Sequence, residues 1–353
     1  MVNYRPWSDK VMALCLEQHK RGFMPTLDLE LTARCTVASC IYCDSKPAVG
    51  EAHKDELDWP TFFRMLEQAK ALGLEWIYTC GLGEPLEDDN FWKLLDFSQK
   101  NNINLSIFSN GLFIKDVSIA RKLKNANVNI ILKMDTFDAE NFDTILGFPG
   151  CAKNIYKAME YLLSAGYARS NDNYTDLAFS IVPTLLSYEG IPDVVAFCEK
   201  EKIFASIGEL EQAGEVLKGT IQRDLSLNDE QVAHLKSIAN KYADDGCYMR
   251  PVCPSILTGI HIDNIGKCIV DRITGLNCKW FLLTEPDIHT IGDIRTGTIN
   301  ELHNKVNAYR EACFESNITQ IDEYAKISYV FGGCGGNPKN IIELTRTALN
   351  ANV

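Results

Sequence analysis

The chain contains no run approaching ~18 uninterrupted apolar residues, so it offers no candidate membrane-spanning helix. Its N-terminus meets Asp9 and Lys10 before any apolar stretch, which excludes an ordinary secretory signal. Positive charge is scarce: 35 Lys+Arg stand against 47 Asp+Glu, for a net charge of −12. No Lys/Arg cluster is present to neutralise phosphates, so nucleic acid is not an expected partner. A second C-x2-C pair is also missing, and structural zinc sites favour paired spacings with four ligands. There is no low-complexity segment. The expectation from these absences is a cytoplasmic protein with neither a membrane nor a nucleic-acid role.

The chain is rich in cysteine, with 13 in 353 residues. Without a secretory signal these do not read as a disulfide framework, and part of them points to metal or redox chemistry. Cys15, Cys151 and Cys198 stand alone in apolar helical patterns and read as small buried hydrophobes. Composition is ordinary for a globular protein, 46% hydrophobic and 23% charged, and long enough to bury a large core without crosslinks.

Strand-like apolar runs at 26–32, 75–80, 104–109, 127–135, 176–183 and 204–210 alternate with helical patterns at 59–72, 90–100, 116–125, 152–165 and 192–202. Asp58-Trp59-Pro60 supplies a capping residue and a proline at a helix start. Six βα units imply a parallel sheet with right-handed crossovers. They are too few for a closed eight-fold barrel, so the expected fold is α/β, a partial open (β/α)6 barrel. Its functional residues should gather at the C-terminal strand ends. Residues 211–246 read as helical and charged. After Gly246 the alternation stops and cysteines become frequent. The expected division is an N-terminal helical extension (1–25), the partial barrel (26–246) and a small cysteine-rich α+β domain (247–353). That last domain carries a hairpin over 259–261 and 267–270.

Directly after the first strand comes Cys35-Thr-Val-Ala-Ser-Cys40-Ile-Tyr-Cys43, a C-x4-C-x2-C group. Three thiolates on one tight loop suit three irons of a [4Fe–4S] cluster and leave the fourth open to another ligand. Plant-type [2Fe–2S] ferredoxins use the same spacing with a fourth Cys; a zinc site and a chance grouping are the other readings.

This loop resembles that of the radical S-adenosylmethionine (SAM) enzymes, whose motif is C-x3-C-x2-C with an aromatic before the last Cys, here Tyr42. The extra residue between Cys35 and Cys40 is a departure. Gly81-Leu82-Gly83-Glu84-Pro85 is similar to the family's GGEP segment, with Leu for one Gly. Ser109-Asn110-Gly111 and Lys133-Met134-Asp135 follow at the third and fourth strand ends. The resemblance implies that Glu84 accepts from the methionine ammonium of SAM. Gly81 and Gly83 would let backbone approach the cofactor, Ser109 and Asn110 would lie near its carboxylate, and Lys133 and Asp135 would complete its site. It further implies one-electron cleavage of SAM to a 5′-deoxyadenosyl radical that abstracts hydrogen, with electrons from a reducing flavodoxin- or ferredoxin-type donor.

The C-terminal cysteines resemble the SPASM and twitch domains of the same enzymes. The resemblance rests on Cys253, on Asp263-Asn264-Ile265-Gly266-Lys267-Cys268 with Asp271, and on Ile291-Gly292-Asp293-Ile294. It implies one auxiliary [4Fe–4S] cluster, preferably on Cys253, Cys268, Cys313 and Cys334, with Cys278 and Cys247 in reserve. Asp271 stands where the family's second cysteine usually lies. Glu209 and Glu211, at the sixth strand end, are candidate proton acceptors; an acidic helix start is the alternative. The substrate is expected to be a small molecule of sugar or aminocyclitol type, with a peptide nearly level. Only 25 residues precede the first strand, which leaves no room for a leader-binding domain and lowers, without removing, the leader-guided peptide reading. An iron–sulfur electron carrier without substrate is the reading from a different class.

Overall fold

The computed structural model describes residues 2–37, 39–43, 53–79, 81–168, 173–208, 225–243, 253–271, 276, 288–327 and 345–346. A two-residue strand β1 (Asn3–Tyr4) pairs in parallel with β6 (Tyr174–Thr175). The main sheet holds β2 (Thr26–Leu29), β3 (Trp76–Thr79), β4 (Asn104–Ser109), β5 (Val128–Lys133), β7 (Leu177–Ile181) and β8 (Phe204–Ile207), each parallel to the next in that order. These are the six strands expected from the sequence. The helices between them are α2 (Trp59–Ala71), α3 (Asp89–Asn101), α4 (Val117–Asn125), α5 (Ala139–Leu146), α6 (Cys151–Ser164) and α7 (Ile191–Glu201). Helix α5 was not foreseen. It is only eight residues long and starts at an Asp138 cap that accepts from Glu140 and Asn141 N–H groups.

Alternation along the strands divides the sheet into two faces. Leu27, Leu29, Ile77, Leu105, Ile107, Ile130 and Leu132 pack against the helices in the larger core. The opposite, inner face carries Trp76, Tyr78, Ile131, Ala178 and Phe204. It is filled by the N-terminal segment, whose helix α1 (Asp9–Lys20) brings Val11, Met12 and Cys15, joined by Tyr4 and Trp7. Tyr4 Oη lies 3.0 Å from Ser106 Oγ, and Tyr78 donates to Pro6 O at 3.0 Å. Burying Trp7 and Tyr4 among Phe204 and Phe108 yields aromatic contacts at 5.0–6.3 Å. Residues 2–16 thus floor the barrel rather than extend from it. Cys15, Cys151 and Cys198 are buried, as isolated apolar thiols should be.

The hairpin expected near residues 259–270 is present and continues the barrel sheet. Strand β9 (Gly259–Ile262) pairs in parallel with β2, and β10 (Lys267–Asp271) runs antiparallel to β9. Strand β11 (Ile288–Asp293), which holds Ile291-Gly292-Asp293, closes that edge antiparallel to β10. The order is therefore β11-β10-β9-β2-β3-β4-β5-β7-β8. Helix α8 (Asp229–Ala243) lies in the segment read as charged and helical, α9 (Ser255–Thr258) leads into β9, and α10 (Ile299–Ile327) follows β11.

Candidate active site

The cysteine loop is held from several sides. At its start the Glu56 carboxylate accepts from Ala33 N at 2.6 Å and Thr32 Oγ1 at 3.1 Å. Glu87 accepts from Thr36 N at 2.8 Å and Thr36 Oγ1 at 3.1 Å. The added residue of the loop falls where Ser39 Oγ donates to Leu146 O at 3.0 Å and Ile41 N to Ile145 O at 2.9 Å, both at the end of α5. Successive turns, Cys40 N to Val37 O and Cys43 N to Cys40 O, fold the three cysteines onto one short arc.

Burial pushes the thiols of Cys35 and Cys40 up to about 12. Neighbouring thiols add to this: Cys43 opposes ionisation of Cys35, and Cys35 that of Cys40, while Lys133 favours it. Such thiols stay protonated until a metal cation stabilises the thiolate. Among the described residues no three His, Cys, Asp or Glu side chains are grouped to hold a single metal ion. The donor set is three soft thiols on one loop within reach of each other's charge, which fits three corners of an iron–sulfur cluster.

The turn after β3 rests on the end of β2. Gly81 has φ +95° and Gly83 φ +76°, and a Cβ at Gly83 would stand 2.1 Å from Thr32 O. Only glycine fits so close an approach at positive φ. Glu84 is buried, and its Oε1 accepts from Ser109 Oγ at 2.8 Å and Leu86 N at 3.2 Å. Its Oε2 accepts from Asn110 N at 2.7 Å. Burial pushes the Glu84 carboxyl up to about 7 against the pull of these donors. Asn110 also points its Nδ2 at Cys35 Sγ, 3.8 Å away. Ser109 and Asn110 therefore converge on Glu84 and the cysteine loop together.

At the end of β5, Asp135 is fully buried and accepts from Val182 N at 2.9 Å and Tyr42 Oη at 2.5 Å. Lys133 Nζ lies 2.9 Å from Asp135 Oδ2, bonds Tyr42 Oη and stands 4.4 Å from the Tyr42 ring centre. Burial holds the Asp135 carboxyl above its usual range, with Lys133 pulling the other way. Lys133, expected to complete the cofactor site, is here paired within the chain. The pair ties Tyr42, one residue before Cys43, to the barrel.

The C-terminal cysteines are dispersed among the described residues. Cys253 packs on the inner face, its Sγ 3.1 Å from Ser255 Oγ. Cys268 lies in the helix-side core opposite Ile262, where burial pushes its thiol up to about 12 against the charge of Arg310. Cys313 is buried on α10. Cys278, Cys334 and Cys247, like Glu209 and Glu211, lie outside the described residues.

Sequence reasoning missed Glu56 and Glu87, which anchor the loop, and the inner-face set Asp28, Glu30 and His261. The signal for Asp28 and Glu30 was available: Thr26-Leu27-Asp28-Leu29-Glu30-Leu31-Thr32 alternates polar and apolar with period two, which places both carboxylates on one face. His261 had no such signal, because its position depends on β9 joining β2.

Comparison with known proteins agrees with this geometry. Residues 29–177 match the Radical SAM superfamily and form a domain of it, which works with a [4Fe–4S] cluster and SAM. The mycofactocin maturase MftC of Mycobacterium ulcerans (strain Agy99) is 24% identical over 269 residues, covering 73% of this chain and 69% of that protein. Among solved structures, Streptococcus suis SuiB bound to S-adenosylmethionine aligns with a TM-score of 0.59 at 18% identity, over 85% of this chain and 71% of SuiB. SuiB bound to its precursor peptide SuiA gives 0.56 at 18% identity, over 85% and 70%. The anSMEcpe enzyme with bound AdoMet gives 0.55 at 15% identity, over 93% and 96%. The radical SAM fold read from the cysteine loop and the βα alternation is thus borne out. No helix among the described residues is long and apolar enough to cross a membrane.

Proposed function

We propose that this chain is a radical SAM maturase that modifies a peptide by hydrogen-atom abstraction. The observation that carries the radical chemistry is the convergence of Cys35, Asn110 and Glu84 at neighbouring strand ends. Cys35, Cys40 and Cys43 would hold the cluster. The chemistry that the cluster and SAM supply together is one-electron cleavage of a sulfonium bond. The chain's own residues bind and orient. The Glu84 carboxylate, pushed up to about 7 when alone, is stabilised in its ionised form by an ammonium group. The glycines of the Gly81–Gly83 turn leave its backbone open to a bound cofactor, which the turn would help to hold. Tyr42, held by Asp135 and Lys133, fixes the loop beside it. The filled inner face below the strand ends keeps water from the reacting atoms.

The peptide class is favoured by a relative named as a maturase and by the fold shared with SuiB, solved with a precursor peptide. That support places a peptide ahead of the sugar or aminocyclitol preferred from sequence. An oxidative outcome needs a second electron sink, and an auxiliary [4Fe–4S] cluster is the proposed one; Cys253 and Cys268 lie in separate cores and do not share it as placed, so its ligands would come from one of them with Cys313, Cys334 or Cys278. Glu209 and Glu211 are the proposed proton acceptors, and a flavodoxin- or ferredoxin-type protein the proposed electron donor. The test is anaerobic reconstitution, reduction with dithionite and incubation with SAM and a short peptide encoded beside the gene. 5′-Deoxyadenosine and a mass change in the peptide are expected. Deoxyadenosine released only with aminocyclitol candidates would reverse the substrate class, and none with any candidate would favour an electron carrier.

A further inference from the structure

Three ionisable side chains meet on the inner face where the C-terminal hairpin joins the barrel. His261 on β9 lies in register with Asp28 on β2, and its Nδ1 stands 3.3 Å from Asp28 Oδ2. Its Nε2 stands 3.7 Å from Glu30 Oε1. All three are almost wholly buried: Asp28 is 2% exposed, Glu30 5% and His261 1%. The same Glu30 Oε1 accepts from Leu82 N at 3.3 Å, inside the turn that carries Gly81 and Gly83. A Cβ on Gly81 would stand 2.3 Å from that oxygen, so the turn backbone lies directly against the carboxylate. Glu30 N also donates to Ile262 O at 3.0 Å, tying the strand end to β9.

We infer that His261 is a positioning residue for SAM: it holds Glu30 against the Gly81–Leu82 turn, and through it the C-terminal hairpin sets the affinity of the cofactor site. The inference rests on the proposed role of that turn in binding SAM. Two buried carboxylates on successive inward positions of one strand repel each other, and the repulsion is strong in a low-dielectric interior. An imidazole lying between them, with one ring nitrogen facing each carboxylate, offsets it. Without the imidazole, Glu30 swings away from Asp28, and that movement removes the acceptor that fixes Leu82 N–H. The turn has two glycines at positive φ and leans on the Glu30 carboxylate through Leu82 N–H, so its shape depends on where that carboxylate stands. Positional errors of about an ångström at such a site are costly.

The hairpin is well placed to transmit this. Asn264, at its tip, donates to Glu56 Oε1 at 3.2 Å, and Leu57 N donates to Asn264 O at 2.9 Å. Glu56 in turn holds the first residues of the cysteine loop. Strand β10, carrying Cys268, pairs with β9 at Ile262, one residue from His261. Cofactor turn, loop entry and hairpin are joined by the buried Glu30, the half-buried Glu56 and one imidazole.

The test measures SAM binding by equilibrium dialysis on the reconstituted full chain, with iron content and thermal midpoint recorded for each variant. His261→Ala should weaken SAM binding about tenfold or more, a loss of about 1.4 kcal/mol, while iron content stays at the wild-type value. His261→Gln, which restores an N–H donor, should bind within about threefold of wild type. In the His261→Ala background, Glu30→Gln removes the repulsion but keeps an oxygen for Leu82 N–H, so the double variant should regain affinity over the single one. A merely structural role for His261 would lower the thermal midpoint of all three without this rescue. If wild type binds SAM and His261→Ala binds it equally well, the inference fails and the radical SAM reading stands. If the alanine variant does not fold, equal SAM binding by wild type and Glu30→Ala overturns the inference in the same way. If wild type itself binds no SAM with its cluster intact, the functional reading fails and the inference falls with it.

Discussion

Asn110 joins the carboxylate and the thiol ends of the site: its N–H donates to Glu84 at 2.7 Å and its side-chain amide faces Cys35 Sγ at 3.8 Å. The backbone bond survives replacement of Asn110 by alanine, but the side-chain contact does not. Hydrogen bonds to cluster sulfur ligands raise the reduction potential. Asn110→Ala should therefore make the cluster harder to reduce, a shift seen as a more negative midpoint in a redox titration followed by electron paramagnetic resonance. It should also cost about 1 kcal/mol of stability, because Asn110 Oδ1 accepts from Leu112 N at 2.9 Å. An unchanged midpoint would show that the amide does not reach the cluster.

Iron analysis tests the assignment of the thiols. The wild-type chain should hold about eight irons as two [4Fe–4S] clusters, and replacing Cys35, Cys40 and Cys43 together by Ala should remove about half. Equal iron in the triple variant would place the cluster elsewhere.

In the cluster-free protein, Glu84 contributes a stability that weakens as pH rises. Its folded-state carboxyl is pushed from 4.5 to about 7, burial being the main cause. The contribution is complete below about 4.5, where both states are protonated, and is lost as pH rises towards 7. The loss amounts to at most about 3 kcal/mol. Glu84→Gln removes this slope, so the stability difference between variant and wild type should grow in the variant's favour from pH 4.5 to 7. Denaturant titrations at several pH values measure it, and a flat difference would mean that Glu84 is ionised and solvated.

Two histidines impose the opposite slope. His303 on α10 is held down to about 3 and His19 on α1 to about 4; burial is the main cause, and Arg310 adds to it. Their rings stand 5.9 Å apart. Stability from these neutral imidazoles is complete above about 6.5 and is lost as pH falls towards 3–4, by up to about 1.4 kcal/mol per pH unit for each. His303→Gln should flatten the acid limb of the stability curve. An acid limb as steep as wild type would show that the rings reach solvent.

The barrel was legible because its strands are buried on both faces and its helices on one, so each strand reads as an apolar run and each helix as a stripe. The grouping of Cys35, Cys40 and Cys43 on one loop was legible from their spacing, and Glu84 was picked out by the likeness of its segment to a family motif. The pairing of Lys133 with Asp135 and Tyr42 was not legible, because the short reach from strand end to Tyr42 is tertiary. The joining of β9 to β2 was equally hidden, since pairing partners far apart in sequence leave no periodic mark. That join brings His261 to Asp28 and Glu30, so the inner-face triad could not be found before the sheet order was known.

Trp7 and Tyr4 seal the end of the barrel opposite the cysteine loop, and Trp7→Ala should cost about 3–5 kcal/mol in denaturant unfolding. With Trp7 and Tyr4 wedged against Phe204 and the strands beneath it, the N-terminal segment acts as a keystone: trimming it should loosen the inner face of the sheet and not merely shorten the chain.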